Sequence, residues 1–337
     1  MDTRKAIALL VQASLILVMS IILVVAAVLT YYVEPALFDK DNEIWYVRDV
    51  ATDLPDGAHG KQVKYGHLLV SETPTWLGPQ ALEGFQFTGN NLSCSSCHLE
   101  AGTKRGAASW IGATKRYPQF RGRENNMVTI ADRINGCVER SMNGMALPVD
   151  SKQMMAIVAY MEWLDAGIPK DTVGYFTGLG EVSYARIKAD PIQGKTIYTS
   201  ECLVCHGADG AGVWKSDSSA YQYPPLWGQD SYNHGAGMHR VLTAAQFIKA
   251  NMPWGVATID NPKLTDAEAI HVAAYINSFE RPVKTDVQND FPELTLKPMS
   301  TPYGPWADDF SADQHKYGPF QPIADYYLTT YGITKTK

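Results

Sequence analysis

The sequence predicts an all-α chain: a tandem pair of similar helical domains behind one N-terminal membrane-spanning helix. Three observations carry this prediction. They are a 28-residue uncharged run near the N-terminus, two short cysteine motifs 108 residues apart, and an amphipathic segment downstream of each motif. A chain of 337 residues has room for two domains, each large enough to bury its own core. Apolar residues make up 45% and charged residues 19%, which excludes a disordered, collagenous or polytopic membrane chain. The net charge of −6 argues against a general nucleic-acid binder, so no nucleic-acid partner is expected.

Residues 6–33 form the uncharged run. As a helix they would extend about 42 Å, more than the ~30 Å hydrocarbon core of a bilayer. Arg4 and Lys5 precede the run, so the positive-inside rule keeps the N-terminus in the cytoplasm and exports the rest. A cleaved signal peptide is the competing reading. Its apolar region would be about half as long, and Ala26-Ala27 matches a small-x-small cleavage site poorly. Both readings place the bulk of the chain outside the cytoplasm.

A polar tether is expected over residues 33–59, carrying Pro35, Pro55 and several acids. Two similar units follow. The first holds Cys94-Ser-Ser-Cys97-His98 and, later, residues 151–164 (SKQMMAIVAYMEWL). The second holds Cys202-Leu-Val-Cys205-His206 and, later, residues 264–279 (LTDAEAIHVAAYINSF). Ser151 and Thr265 are good N-caps, and apolar residues recur behind them at helical spacing. Each late helix presents an Ala-Tyr pair, Ala159-Tyr160 and Ala274-Tyr275, which points to an internal duplication. Gly194, Tyr198 and Cys202 lie four apart and share one predicted helix face. Residues 165–191 read as a linker rich in Gly, Pro and Thr. From Arg281 to the end there are seven prolines, many aromatics and little helical periodicity, so an irregular tail is expected to wrap the domains or dock a partner. No convincing run of alternating strands is present. The expected division is an anchor over 1–35, a first domain over 36–180, a second over 181–290 and an extension over 291–337.

C-x-x-C-H has a direct chemical reading. Two thiols add to the vinyl groups of a haem, and the adjacent imidazole becomes the proximal ligand of the iron. A zinc site would need the two C-x-x-C pairs to close on one ion, usually from closer range, whereas here each pair has its own histidine and its own late helix. The sequence therefore predicts two covalently bound c-type haems on two class I cytochrome c domains. Cys94, Cys97, Cys202 and Cys205 form the attachments, and His98 and His206 are proximal ligands.

The sixth ligands differ between the units. Met252, in Asn251-Met252-Pro253, lies 46 residues after His206 and is the expected distal ligand of the second haem; Met238, His239 and His234 are its competitors. Met252 precedes Tyr275 by 23 residues, and the same count back from Tyr160 reaches Cys137. The fifth cysteine thus stands where the second unit has its methionine. Two other readings stay open: Cys137 as a small core residue, and Met142 or Met145 as the ligand. Around Cys137 the charge is unusual. Residues 101–140 carry eight basic side chains (Lys104, Arg105, Lys115, Arg116, Arg121, Arg123, Arg133 and Arg140) against three acids, Glu124, Asp132 and Glu139. A basic surround favours a thiolate and gathers small anions. One or two of these arginines are expected to neutralise haem propionates.

With these residues in place, the chain resembles the dihaem thiosulfate dehydrogenases, tetrathionate-forming enzymes of bacterial periplasms. The resemblance runs over about residues 60–290 and is carried by Gly89-Asn-Asn-Leu-Ser-Cys94, Gly122-Arg-Glu-Asn, Asp132-Arg-Ile-Asn-Gly-Cys137-Val-Glu-Arg-Ser-Met-Asn-Gly and Phe247-Ile-Lys-Ala-Asn-Met252-Pro. The cysteine-bearing stretch is its specific part; the anchor and the tail have no counterpart in it. The resemblance implies that Cys137 is the distal ligand of an active-site haem and Met252 that of an electron-transfer haem. It implies oxidation of two thiosulfates to tetrathionate, with Arg121, Arg123, Arg133 and Arg140 as candidates for holding the dianions. Electrons would leave through the second haem to a periplasmic or membrane acceptor, such as a cytochrome c or an oxidase. The expected location is the bacterial inner membrane, single-pass, with the haem domains in the periplasm. The alternative is a non-catalytic, membrane-anchored dihaem electron carrier of a respiratory complex. A dihaem peroxidase would need an open or His-ligated haem, for which the sequence offers no strong candidate.

Overall fold

The computed structural model of the chain describes residues 3–33 and 45–337. It divides into two units, Met1–Tyr46 and Val47–Lys337. In the first, helix α1 spans Thr3–Val33, and its stretch Thr3–Val28 is long and apolar enough to cross a membrane. Between Ile7 and Val28 its Leu, Ile and Val side chains are exposed. Residues 34–44 of the expected tether lie outside the described residues, and its last three residues belong to the next helix.

In the second unit the helices are α2 (Gly57–Ser71), α3 (Thr73–Trp76), α4 (Ile130–Arg140), α5 (Lys152–Asp165), α6 (Lys170–Phe176), α7 (Pro191–Glu201), α8 (Leu203–His206), α9 (Val241–Asn251), α10 (Asp266–Ile276), α11 (Ala312–Tyr317) and α12 (Gln321–Tyr331). Two antiparallel hairpins interrupt them. Strand β1 (Gln119–Arg121) pairs with β2 (Asn126–Val128), and β3 (Val213–Trp214) with β4 (Tyr221–Tyr223). These hairpins are too short for alternation to register in the sequence.

The duplication is visible in the packing. α2 crosses α5, and α7 crosses α10. Each crossing is made close by a glycine. A Cβ on Gly66 would meet the carbonyl oxygen of Ala156 at 2.0 Å and the Cβ of Tyr160 at 2.8 Å; on Gly194 it would meet the carbonyl oxygen of His271 at 2.0 Å and the Cβ of Tyr275 at 2.8 Å. The Ala-Tyr pairs thus occupy equivalent places. Ser151 caps α5 by accepting from the Met154 N–H, and Thr265 with Glu268 forms a capping box on α10. The sequence reading missed Gly66. In the second unit the glycine helix runs directly into the cysteine motif, but in the first α3 and a long loop separate them, so the spacing hides the correspondence.

Two segments differ from expectation. Residues 165–191 are not all linker: the buried carboxylate of Asp165 accepts from the backbone N–H of Gly112 and from the backbone and hydroxyl of Thr114, and α6 follows. The tail is not all irregular. Ser311 caps α11, Gly318 ends it, and α12 starts with proline in its first turn and stops at Gly332 in the left-handed conformation. Buried Ile323 and Tyr327, four apart, join Met299 and Phe320 in the core of the second helical domain. Prolines at the helix starts masked this short periodicity.

Gly194→Ala should destabilise the loaded protein by about 1–3 kcal/mol, because the backbone must open to admit the methyl. Gly174→Ala, whose added Cβ meets nothing within 4 Å, should be neutral or stabilising by about 0.5–1 kcal/mol. Denaturant unfolding of the two variants checks the contrast.

Candidate functional site

Two cavities flank the joint between the helical domains. The first, about 320 Å³, is lined by Cys94, Cys97, His98, Arg116, Tyr117, Gln119, Arg121, Arg133, Cys137 and Met142, with Tyr232 and Met238 reaching in from the second domain. The second, about 520 Å³, is lined by Cys202, Cys205, His206, Met238, Phe247, Ile248, Met252 and Trp254, with Ser93, Cys97 and Leu99 reaching in from the first. Leu92, Ser93, Cys97, Tyr232 and Met238 belong to both walls, so the two cavities share a partition.

The histidines of the two motifs, His98 and His206, are fixed in the same way. The Nδ1 of His98 lies 2.8 Å from the carbonyl oxygen of Ala108, and that of His206 lies 2.8 Å from the carbonyl oxygen of Pro224. A carbonyl can only accept, so Nδ1 carries the proton and Nε2 is left as the free lone pair. Burial lowers the pKa of His206 and keeps it in the neutral, ligating form. No disulfide joins any of the five cysteines. Burial pushes Cys94 up to about 11 and Cys97 and Cys202 up to about 12. No group of three or more His, Cys, Asp or Glu side chains converges as a metal site among the described residues.

Cys137 behaves differently. It sits on α4, where Thr129 and Asp132 form a capping box, and Arg133 lies one turn before it. Arg133 donates from Nη1 to the Cys137 sulfur at 2.8 Å. Burial alone would raise this thiol. The Arg133 charge and hydrogen bond, together with the His98 ring when it carries its second proton, outweigh burial and bring it down to about 6. The interaction with His98 brings Cys137 together with the proximal histidine of the same cavity. Of the other candidates, Met142 is buried in the cavity wall, whereas Met145 is 68% exposed and outside it. Beside the second cavity, Met252 and Met238 line the wall but His234 and His239 do not. In both imidazoles Nδ1 meets the backbone: His239 Nδ1 lies 2.8 Å from the carbonyl oxygen of His234, and His234 Nδ1 accepts from the Lys284 N–H.

The arginines separate into two sets. Arg121 and Arg133 face the first cavity, and so does Arg116. Arg123 and Arg140 do not line it. They form a buried cluster with Asp290: Arg140 Nη2 lies 2.7 Å from one carboxylate oxygen and Arg123 Nε 3.8 Å from the other. Sequence reading missed Arg240, which repulsion from Arg123 and, above all, burial bring down to about 9. It also missed Arg281, which lies over the Tyr232 ring at 4.2 Å. Nε and Nη1 of both Arg140 and Arg281, and Nε of Arg123, are buried without a hydrogen-bond partner. Orphaned guanidinium donors around the partition fit a prosthetic group that brings carboxylates of its own, as haem does. Cys, Cys and His in each wall, with Cys137 in one cavity and Met252 in the other, fit the rest of that group.

The domain joint uses the Gly89-Asn-Asn stretch. Asn90 donates to the carbonyl oxygens of Ser141 and Ser231, the Asn91 N–H donates to Asp230, and Asn233 donates to the carbonyl oxygen of Glu139. These asparagines hold the partition together, a role that no local spacing reveals.

Comparison with known proteins agrees with this geometry. A family model described as the SoxA/TsdA cytochrome c domain matches residues 85–169, and the cytochrome c model matches residues 192–280. A thiosulfate dehydrogenase of Allochromatium vinosum is 39% identical over 241 residues, 70% of this chain and 84% of that protein. One of Stutzerimonas stutzeri is 40% identical over 230 residues, 68% of this chain and 71% of that protein. The solved thiosulfate dehydrogenase (TsdBA) of Marichromatium purpuratum, in its "as isolated" form, superposes with a TM-score of 0.63 at 35% identity. That match takes in 73% of this chain, which spans about half (51%) of the solved one. The chain therefore carries two c-type haems on two cytochrome c domains and belongs to the dihaem thiosulfate dehydrogenase family.

Proposed function

We propose that the chain oxidises two thiosulfates to one tetrathionate at the first cavity and passes the two electrons through the second domain to an external acceptor. The observation that carries this reading is the Arg133–Cys137 pair. A thiolate held at 2.8 Å by a guanidinium, beside the proximal histidine, is unlike the thioether offered by Met252.

When bound, the haems supply two one-electron acceptors, the first tuned low by a thiolate ligand and the second high by a thioether. Cys94, Cys97 and His98 would hold one, with Cys137 as sixth ligand; Cys202, Cys205 and His206 would hold the other, with Met252. The protein's own groups do the remaining work. Arg133 keeps the Cys137 sulfur anionic. Arg121 and Arg116 in the cavity wall bind thiosulfate dianions and offset the repulsion between two of them, which in a partly desolvated site is several-fold stronger than in water. Arg123 and Arg140 stand one layer back, with Asp290 between them. Joining two thiosulfates forms one S–S bond and releases two electrons, with no proton to place, so the site needs cations and electron acceptors rather than a general base. Tyr232 and Met238, shared by both walls, carry electrons across the partition. The anchor over 1–35 would tie the domains of 36–180 and 181–290 and the extension of 291–337 to the periplasmic face of the inner membrane, where a cytochrome c or an oxidase takes the electrons.

The purified, oxidised protein should reduce on adding thiosulfate, and with a soluble electron acceptor it should yield one tetrathionate per two electrons transferred. Haems that stay oxidised, or reduce without tetrathionate, would move the reading to an electron carrier. Cys137→Ala should lower turnover by about 10²-fold or more while both haems remain covalently bound. Full activity in that variant would remove Cys137 from the mechanism. Met252→Ala should lower the second haem's reduction potential, read by spectroelectrochemistry; an unchanged potential would transfer the ligand role to Met238.

A further inference from the structure

The C-terminal segment from Asp290 onward reaches back to the hairpin beside the first cavity. The hairpin β1–β2, which carries Gln119 and Arg121 in the cavity wall, has only three residue pairs, Gln119↔Val128, Phe120↔Met127 and Arg121↔Asn126. Phe120 and Met127 are 53% and 56% exposed, so one face of the hairpin lies open. An isolated two-stranded ribbon of this size does not hold itself in water.

Its tip is held from outside. The Phe291 N–H donates to the carbonyl oxygen of Arg123 at 2.9 Å. Leu296 packs on Gly122 so closely that a Cβ there would meet the leucine Cβ at 2.9 Å. The Asp290 carboxylate, almost fully buried, takes Arg140 on one oxygen at 2.7 Å; its other oxygen lies 3.8 Å from Arg123 and accepts from the Tyr303 hydroxyl at 2.7 Å. The tail is itself anchored. Met299 N–H donates to the carbonyl oxygen of Thr336, Lys335 donates to that of Thr295 at 2.7 Å, and buried Lys297 donates to that of Pro305 at 2.8 Å. Met299, Phe320, Ile323 and Tyr327 then lock it into the core of the second domain.

We propose that Asp290 and Tyr303 are positioning residues for the active site of the first domain: they clamp the hairpin so that Arg121 faces the cavity, and they set the site's affinity for its anion. The inference rests on the thiosulfate reading for its substrate and on the contacts above for the clamp. Arg123, Arg140 and Arg240 are like charges brought together away from solvent, and Asp290 is the carboxylate in direct contact with two of them. Without that charge they repel, and the tip of the hairpin is what can move. Neither Asp290 nor Tyr303 lines the cavity, so the effect falls on binding more than on the chemical step.

The test uses the full chain with both haems attached. Asp290→Asn should raise the KM for thiosulfate about tenfold, equivalent to about 1.4 kcal/mol, with kcat nearly unchanged. Tyr303→Phe, which removes one hydrogen bond and leaves the charge, should raise it about threefold, and Asp290→Glu should recover most of the loss. Should Asp290→Asn not fold, Tyr303→Phe carries the test alone. Amide hydrogen exchange over residues 119–128 gives a readout that needs no substrate, and it should quicken in both variants. A folded variant with unchanged exchange and unchanged KM overturns the clamp. Faster exchange in a protein whose wild type does not turn over thiosulfate supports the clamp and overturns the substrate reading instead.

Discussion

Both halves of the molecule depend on one constraint, the close crossing of two helices at a residue without a side chain. Gly66 against Ala156 and Tyr160, and Gly194 against His271 and Tyr275, let the backbones approach to a distance that any Cβ would block. In each half one tyrosine beside the crossing, Tyr160 or Tyr198, reaches the loop beyond the cysteine motif. The Tyr160 hydroxyl donates to the carbonyl oxygen of Ala101, and that of Tyr198, on the glycine helix of the second crossing, donates to the carbonyl oxygen of Gly207. The loops beyond the motifs then supply the carbonyls of Ala108 and Pro224 that fix the proximal histidines. Helix crossing, motif loop and histidine tautomer form one chain of dependence, built twice.

On this common frame the two halves diverge by charge. In the second, Met252 closes an apolar wall with Phe247 and Ile248. In the first, the equivalent place holds Cys137 with Arg133 behind it, and burial loses to the nearby positive charges. The same architecture thus offers a neutral thioether on one side of a shared partition and an anionic sulfur on the other. A thiolate ligand stabilises oxidised iron relative to a thioether, and under the proposed ligand assignment the asymmetry would give electrons a direction.

The extension completes the first half from the far side of the second. Its core residues Phe320, Ile323 and Tyr327 belong to the second domain, while Asp290 and Tyr303 belong to the arginine cluster of the first. Together with Asn90, Asn91 and Asn233 at the joint, it makes the two haem domains one body in which each cavity has a wall from the other.

Much of this was legible in the residue order. The cysteine–histidine motifs state their chemistry through covalent spacing, which tertiary structure cannot alter. The late helices declare themselves by cap and period, and counting back from their tyrosines singles out Met252 and Cys137. The charge excess over residues 101–140 marks a cationic region without saying where each arginine points. That was decided by partners distant in the sequence. Arg140 is turned away from the cavity by a carboxylate 150 residues later, and Arg133 is turned toward it by a sulfur one helical turn on. Local period and spacing are encoded in neighbouring residues. The direction of a buried charge depends on which counter-charge the fold brings within about 4 Å, and no short stretch of sequence contains that information.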